Sequence, residues 1–217
     1  MTTDEILDIL ENMFPNAECE LTHTNAFELL VAVVLSAQTT DVSVNKITPA
    51  LFEAFPTPQS MAEADIKDIE EKIKRIGLYR MKARSVQNLS KSLIEHFDGV
   101  VPTSMRDLTS LAGVGRKTAN VVRSVCFDIP SVAVDTHVDR ISKRLGLAKP
   151  QDSVEVVEEK LKRKIKRERW NRAHHLFIFF GRYHCTARNP QCDTCPFSSF
   201  CKKDKLEAYK KNQTKTL

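Results

Sequence analysis

Two short stretches of this chain carry residue types that can do covalent chemistry. The first is Leu111-Ala112-Gly113-Val114-Gly115-Arg116-Lys117-Thr118-Ala119-Asn120. The second is Val134-Asp135-Thr136-His137, whose carboxylate lies eighteen positions beyond Lys117 (135 − 117). Gly113 and Gly115 allow backbone angles and close approaches that a β-carbon blocks. The apolar residues Ala119, Val121, Val122 and Val125 predict a helix from near Gly115 to about Cys126. Its first free N–H groups and positive dipole end suit a phosphate. Lys117 falls in its first turn. A free lysine, pKa ~10.4, is protonated at neutral pH and not nucleophilic. The helix end and burial both favour the neutral amine. An ionised Asp135 close by would oppose that shift, yet it could orient the amine, accept protons or offset positive charge on a substrate. Taken alone, Lys117 is more simply a phosphate ligand, or a solvated cation beside Arg116.

The C-terminal part holds a second set. Cys185, Cys192, Cys195 and Cys201 are spaced C-x6-C-x2-C-x5-C. Thiolates so close in sequence can converge on one metal centre. Disulfides account for them less well, because no signal peptide is evident and the chain reads as intracellular. Zinc ribbons use two C-x-x-C knuckles and only one is present, so spacing leaves zinc and iron–sulfur open. Cys19 and Cys126 stand apart and read as small core residues.

These motifs, in this order, resemble the endonuclease III family of DNA glycosylases. The hairpin at 111–122 and Val134 to His137 carry its helix-hairpin-helix signature. The stretch 29–46, LLVAVVLSAQTTDVSVNK, and Ile76-Gly77-Leu78-Tyr79 are similar to that family too, as is the cysteine set. The likeness runs from about Glu5 to Cys201. Ala112 departs from it, where proline is frequent, and predicts a less rigid turn with the same function.

The resemblance implies an all-α, two-lobed helix-hairpin-helix fold with a C-terminal [4Fe–4S] cluster loop at 185–201. A six-helix lobe would span 19–129, including the hairpin pair at 104–126. Residues 1–18 and 130–217 would form a discontinuous second lobe, with Lys117 and Asp135 facing each other across the cleft. The implied activity is removal of oxidised or ring-damaged pyrimidines from duplex DNA, followed by cleavage of the abasic site 3′ to the lesion through a lysine Schiff base. Lys117 would be the nucleophile and Asp135 its acidic partner. The four cysteines would hold the cluster. Gln38 would fill the gap left by an extruded nucleotide, and Leu78 would wedge between bases. The backbone of Gly113, Val114, Gly115 and Arg116, with Arg188 by the cluster loop, would meet phosphates. Two other readings stand beside this one. A monofunctional adenine or mismatch glycosylase would lack the lysine at 117. A non-enzymatic DNA-binding iron–sulfur module would need neither Lys117 nor Asp135.

Helices must position all of these groups. Thr2-Thr3-Asp4-Glu5 is a capping box opening a helix through Ile6, Leu7 and Leu10. Asn25 caps a helix over 27–35 that is apolar on nearly every face and belongs at a core centre. Asp41 would cap the next, with Pro49 breaking it at a new cap, Thr48. Helices follow over 65–75, 80–97, 104–110, 135–145, 153–165 and 168–180. Gly77 and Gly99 sit where left-handed stops belong. Only 132–134 hints at extended chain, and the lysine-rich tail from Lys202 is expected to fray.

Composition agrees with a DNA enzyme without requiring one. Thirty-three Lys and Arg against 28 Asp and Glu give a net charge of +5, which suits a polyanion. No apolar run is long enough to span a membrane. The reading is therefore of a monomer in the cytoplasm, associated with the nucleoid, with double-stranded DNA carrying a damaged base or abasic site as partner. Lys82 and Arg84 beside Leu78, and Arg182 beside the first cysteine, are candidate phosphate ligands. The dense positive run 160–172 reads more simply as a solvated helix face, partnered by Glu158, Glu159 and Glu168.

Overall fold

The computed structural model describes residues 1–214, and among them every regular element is helical. In chain order these are α1 (Thr3–Met13), α2 (Ala26–Leu35), α3 (Asp41–Asn45), α4 (Thr48–Ala54), α5 (Pro58–Glu63), α6 (Ile66–Ile73), α7 (Tyr79–Phe97), α8 (Met105–Ser110), α9 (Arg116–Phe127), α10 (Thr136–Arg144), α11 (Val154–Lys164), α12 (Trp170–Phe179) and α13 (Lys203–Thr214). A 3-10 turn, Arg167–Arg169, leads into α12, and a π-helical turn, Phe180–His184, follows it. By Cα proximity the chain forms two compact units. One is Cys19–Ile129; the other joins Met1–Glu18 to the chain from Pro130 onward.

The caps follow local chemistry. Thr2 and Glu5 form the reciprocal capping box of α1, and the Asn25 side chain accepts from the Glu28 N–H at α2. Two expected caps move by one residue. Thr40, not Asp41, caps α3 through its hydroxyl. The break at Pro49 is real, but Ile47 precedes α4 and Thr48 is its first helical residue. Proline sits there at no cost, because the first turn's N–H groups have no helical partner.

In the unit Cys19–Ile129, α2 is the central helix. Leu29, Leu30, Val31, Ala32 and Leu35 are fully buried, and α7 and α9 pack against it. In the other unit, α1 buries Ile6, Leu7 and Leu10 in a cluster with Val138, Ile141, Leu176, Phe177 and Phe180. The positive run 160–172 does not find the partners expected for it alone. Lys162 does reach Glu158, but Arg169 reaches Asp4 and Asp8, and Arg172 binds both carboxylate oxygens of Glu11. Arg172 also donates to the carbonyls of Phe14, Pro15 and Ala17 at the end of α1. That stretch therefore fastens α1 to its unit. The tail from Lys202 also departs from expectation: Lys203–Thr214 is a helix, anchored by the buried Leu206.

Candidate active site and DNA-contact elements

The hairpin is built as its sequence dictates, with one difference between its glycines. Ser104 caps α8, and the buried Leu108 and Leu111 anchor the approach. Gly113 has φ +77°, and a β-carbon there would lie 3.1 Å from Ser85 Cβ and 3.3 Å from Val34 Cγ1. It is needed both for its angle and for packing onto α2 and α7. Gly115 has neither constraint. It precedes α9 at φ −93°, and a β-carbon would meet nothing within 4 Å. The Val114 side chain is buried and its N–H donates to the Leu111 carbonyl at 3.1 Å, so the structure does not offer that N–H to a phosphate as the sequence reading expected. Arg116 and Lys117 are exposed on the first turn of α9. Burial therefore does not act on Lys117, and of the two influences that favour a neutral amine only the helix end remains.

Asp135 caps α10. Its Oδ1 accepts from the N–H groups of His137 and Val138, both at 2.8 Å. These two bonds fix the side chain at the start of α10. The residue remains half-exposed. His137, on the same turn, lies 3.3 Å from an Arg140 nitrogen, and burial holds its imidazole below the usual histidine range. His174 is buried, with Nδ1 2.8 Å from the Ala133 carbonyl. Each histidine is thus engaged in packing and hydrogen bonding within its own unit.

Gln38 and Leu78 share a feature that the sequence did not reveal. Both are exposed and both lie in the left-handed region, with φ +54° and +59°. Leu78, an apolar residue 54% exposed, is in doubly unfavourable circumstances. The left-handed stop was expected at Gly77, which is not at positive φ; Gly99, at +74°, is. Such strain persists where surrounding structure imposes it, and it clusters at functional positions. Lys82 departs from its expected role as a surface phosphate ligand. It is only 4% exposed, and its ammonium donates to Thr39 Oγ1 at 2.6 Å. Arg84 remains exposed.

The four C-terminal cysteines form one electrostatic neighbourhood. Cys185, Cys192 and Cys201 all push the Cys195 thiol upward, after burial, and Cys201 is raised in the same way. Among the described residues, no three His, Cys, Asp or Glu side chains are grouped as ligands for a single ion. A cubane cluster asks for a different arrangement, one thiolate for each iron. Cationic groups attend the sulfurs. Arg144, buried, donates to Cys185 Sγ at 3.1 Å and to the Thr186 carbonyl at 2.9 Å, and Lys203 Nζ lies 4.0 Å from Cys192 Sγ. Four soft donors with cationic neighbours fit an anionic iron–sulfur centre. The π-turn delivers Cys185: its N–H donates to the Phe180 carbonyl at 2.7 Å, and Arg140 donates to the Gly181 carbonyl at 2.8 Å. A β-carbon at Gly181 would come within 3.0 Å of His137 Cβ, so glycine permits α10 to pack there. Arg188 is exposed in the loop that follows.

Helical hairpin, capping aspartate and cysteine loop together define a class. Residues 31–167 match the HhH-GPD superfamily of base excision DNA repair proteins, and residues 185–201 match the iron–sulfur binding domain of endonuclease III. Endonuclease III of Bacillus subtilis (strain 168) is 53% identical over 196 residues, 90% of either chain. That of Escherichia coli (strain K12) is 44% identical over 204 residues, covering 94% of this chain and 96% of the relative. A solved endonuclease III–DNA complex, a trapped covalent intermediate with an estranged adenine, superposes with a TM-score of 0.91 at 51% identity. It covers 96% of this chain and 99% of that one. The chain belongs to the endonuclease III family, and its cofactor is a [4Fe–4S] cluster.

Proposed function

We propose that this chain is a bifunctional DNA N-glycosylase and abasic-site lyase acting on oxidised or damaged pyrimidines in duplex DNA. Lys117 is the nucleophile. As the bond from the base to the deoxyribose C1′ breaks, that carbon becomes electrophilic and the neutral Lys117 amine adds to it. The base leaves with the bonding electron pair and takes up a proton. The sugar ring opens to a protonated Schiff base, which acidifies the C2′ protons. Loss of one of them expels the 3′ phosphate, cutting the strand 3′ to the lesion by β-elimination. Water then hydrolyses the Schiff base and returns the free lysine.

Asp135 works on the same deoxyribose. Its carboxylate, fixed by two backbone N–H groups, offsets positive charge developing at the sugar and accepts a proton from the incoming amine. Gln38 fills the vacated space in the stack and hydrogen-bonds the orphaned base, while Leu78 wedges between bases. The backbone N–H groups of Gly113, Gly115 and Arg116 and the side chain of Arg188 grip phosphates, while the Val114 N–H, which donates to the Leu111 carbonyl at 3.1 Å, closes the turn that presents them. Cys185, Cys192, Cys195 and Cys201 hold the cluster, which orders the loop carrying Arg188. The observation that carries this reading is an exposed lysine at the open end of α9, in a chain 51% identical to a relative captured covalently on DNA. A DNA substrate and thiolate-bound iron both suit a reducing compartment that contains DNA, hence a cytoplasmic, nucleoid-associated enzyme. Among the described residues no helix is long and apolar enough to cross a membrane.

The test is a duplex with one oxidised pyrimidine. Released base together with a nick 3′ to the lesion is expected. Base release leaving an uncut abasic strand would favour the monofunctional alternative instead.

A further inference from the structure

Gln38 and Leu78 are forty positions apart (78 − 38), yet they must enter one DNA stack together if they fill and wedge it. Each sits at the edge of its helix. Gln38 follows α2 by three residues (38 − 35), and Leu78 immediately precedes α7. The two helices pack together, and Gly113 of the hairpin rests on Val34 of α2 and Ser85 of α7. One helix pair thus carries all three DNA-contact elements of its unit.

A polar link through their neighbours joins the two exposed tips. Thr39 is the neighbour of Gln38, and its Oγ1 accepts from Lys82 Nζ at 2.6 Å. Lys82 stands one turn into α7, where its own N–H donates to the Leu78 carbonyl at 3.0 Å. Lys82 therefore touches the wedge residue with its backbone and the loop of the filling residue with its side chain. Burying an ammonium is costly, and burial alone holds its pKa below the usual lysine range. A side chain retained at that cost asks for a role beyond packing. Neither tip gains stability from its own conformation, since both are at positive φ without being glycine.

We propose that Lys82 and Thr39 are positioning residues: a buried strut that holds Gln38 and Leu78 in fixed register, so that both enter the stack in one step. The proposal rests on Gln38 and Leu78 being the filling and wedging residues. The strut touches neither base nor sugar. Its contribution is pre-organisation, which lowers the ordering needed during nucleotide extrusion. Its effect should therefore scale with how firmly the lesion is stacked and paired.

The experiment is single-turnover base removal from a matched lesion duplex and from the same lesion held unpaired in a bulge. Thr39→Val keeps the shape and removes the acceptor. It should slow the matched substrate about tenfold, as loss of one hydrogen bond to a charged group allows, with a distinctly smaller loss on the bulge. Thr39→Ser, which keeps the hydroxyl, should recover most of the rate. Lys82→Met should follow Thr39→Val, and in a Gln38→Ala background Thr39→Val should have little further effect, because its target is gone. Equal loss on both substrates, or full additivity with Gln38→Ala, would overturn the strut while Gln38→Ala itself stays selective for the matched duplex. A Gln38→Ala variant with no such selectivity would overturn the filling role and the strut with it.

Discussion

The Asp135 carboxylate already accepts two backbone hydrogen bonds at 2.8 Å through one oxygen, and this separates its structural from its chemical task. Asparagine caps helices about as well as aspartate. Asp135→Asn should therefore leave the fold intact while removing the charge. Base removal should fall by about 10²- to 10³-fold, the scale typical of a lost transition-state charge contact. Reaction at a preformed abasic site should persist in part, because the aldehyde there is already electrophilic. Rapid-quench kinetics on the two substrates measure this; equal losses on both would show that Asp135 serves the lysine and not the departing base. Asp135→Ala adds the loss of the cap, about 1 kcal/mol, and so would blur the distinction.

At the scale of elements, the two hairpin glycines make opposite predictions. Gly113→Ala forces a β-carbon against Ser85 and Val34 at φ +77°. It should cost about 1–3 kcal/mol of stability, read from a urea midpoint. Gly115→Ala meets no atom within 4 Å and should leave the midpoint nearly unchanged. It should instead weaken DNA binding, because the added methyl would stand at the phosphate site proposed for the open end of α9. If both variants lost stability alike, the assignment of Gly115 to DNA contact would fail. The cysteine loop offers a second check. Serine at Cys185, Cys192, Cys195 or Cys201 should lower iron and acid-labile sulfide below about four of each per chain, whereas Cys19→Ser and Cys126→Ser should not.

The elements themselves were legible to different degrees for physical reasons. Caps at Thr2 and Asn25 follow from a side chain and a backbone N–H three residues away, so sequence reveals them. The hairpin, the aspartate at a helix start and the cysteine spacing are local patterns too, but their chemistry was legible only through the resemblance to the endonuclease III family, since pattern alone left Lys117 a phosphate ligand and zinc an open choice. What local pattern could not reveal depends on distant contacts. The left-handed angle falls on Leu78 beside Gly77, where residue type argues the other way. Lys82 looks like any surface lysine until Thr39, 43 positions away, meets it. The π-turn at Phe180–His184 fits its place because Arg140 reaches the Gly181 carbonyl, and α13 is held by the buried Leu206 in a stretch otherwise polar.

Taken as a whole molecule, the chain should lose stability in acid through a group to which the proposed mechanism gives no role. Burial, with His174 and Arg172 close by, pushes the His175 imidazole down to about 3. In the unfolded chain it titrates near ~6.5. Below that value the unfolded state binds a proton that the folded state refuses, so stability rises with pH. The contribution is complete above about pH 6.5 and is lost progressively as pH falls toward 3. Urea unfolding at pH 7 and pH 4.5 should show the decline, and His175→Gln, which cannot titrate, should make it shallower. An unchanged slope would place the acid sensitivity elsewhere.

The proposed reaction turns on one covalent bond, between the Lys117 amine and a deoxyribose carbon. Borohydride reduces a Schiff base to a stable amine, so the bond can be captured on a duplex carrying an oxidised pyrimidine. The unaltered chain should give one protein–DNA adduct, with the modified peptide containing Lys117. Folded, cluster-loaded Lys117→Ala should give none, and should neither remove the base nor cut the strand. Lys117→Gln should likewise be inert while still binding the lesion duplex through the hairpin backbone. A trapped adduct from Lys117→Ala would contradict the account, because the nucleophile would then lie elsewhere.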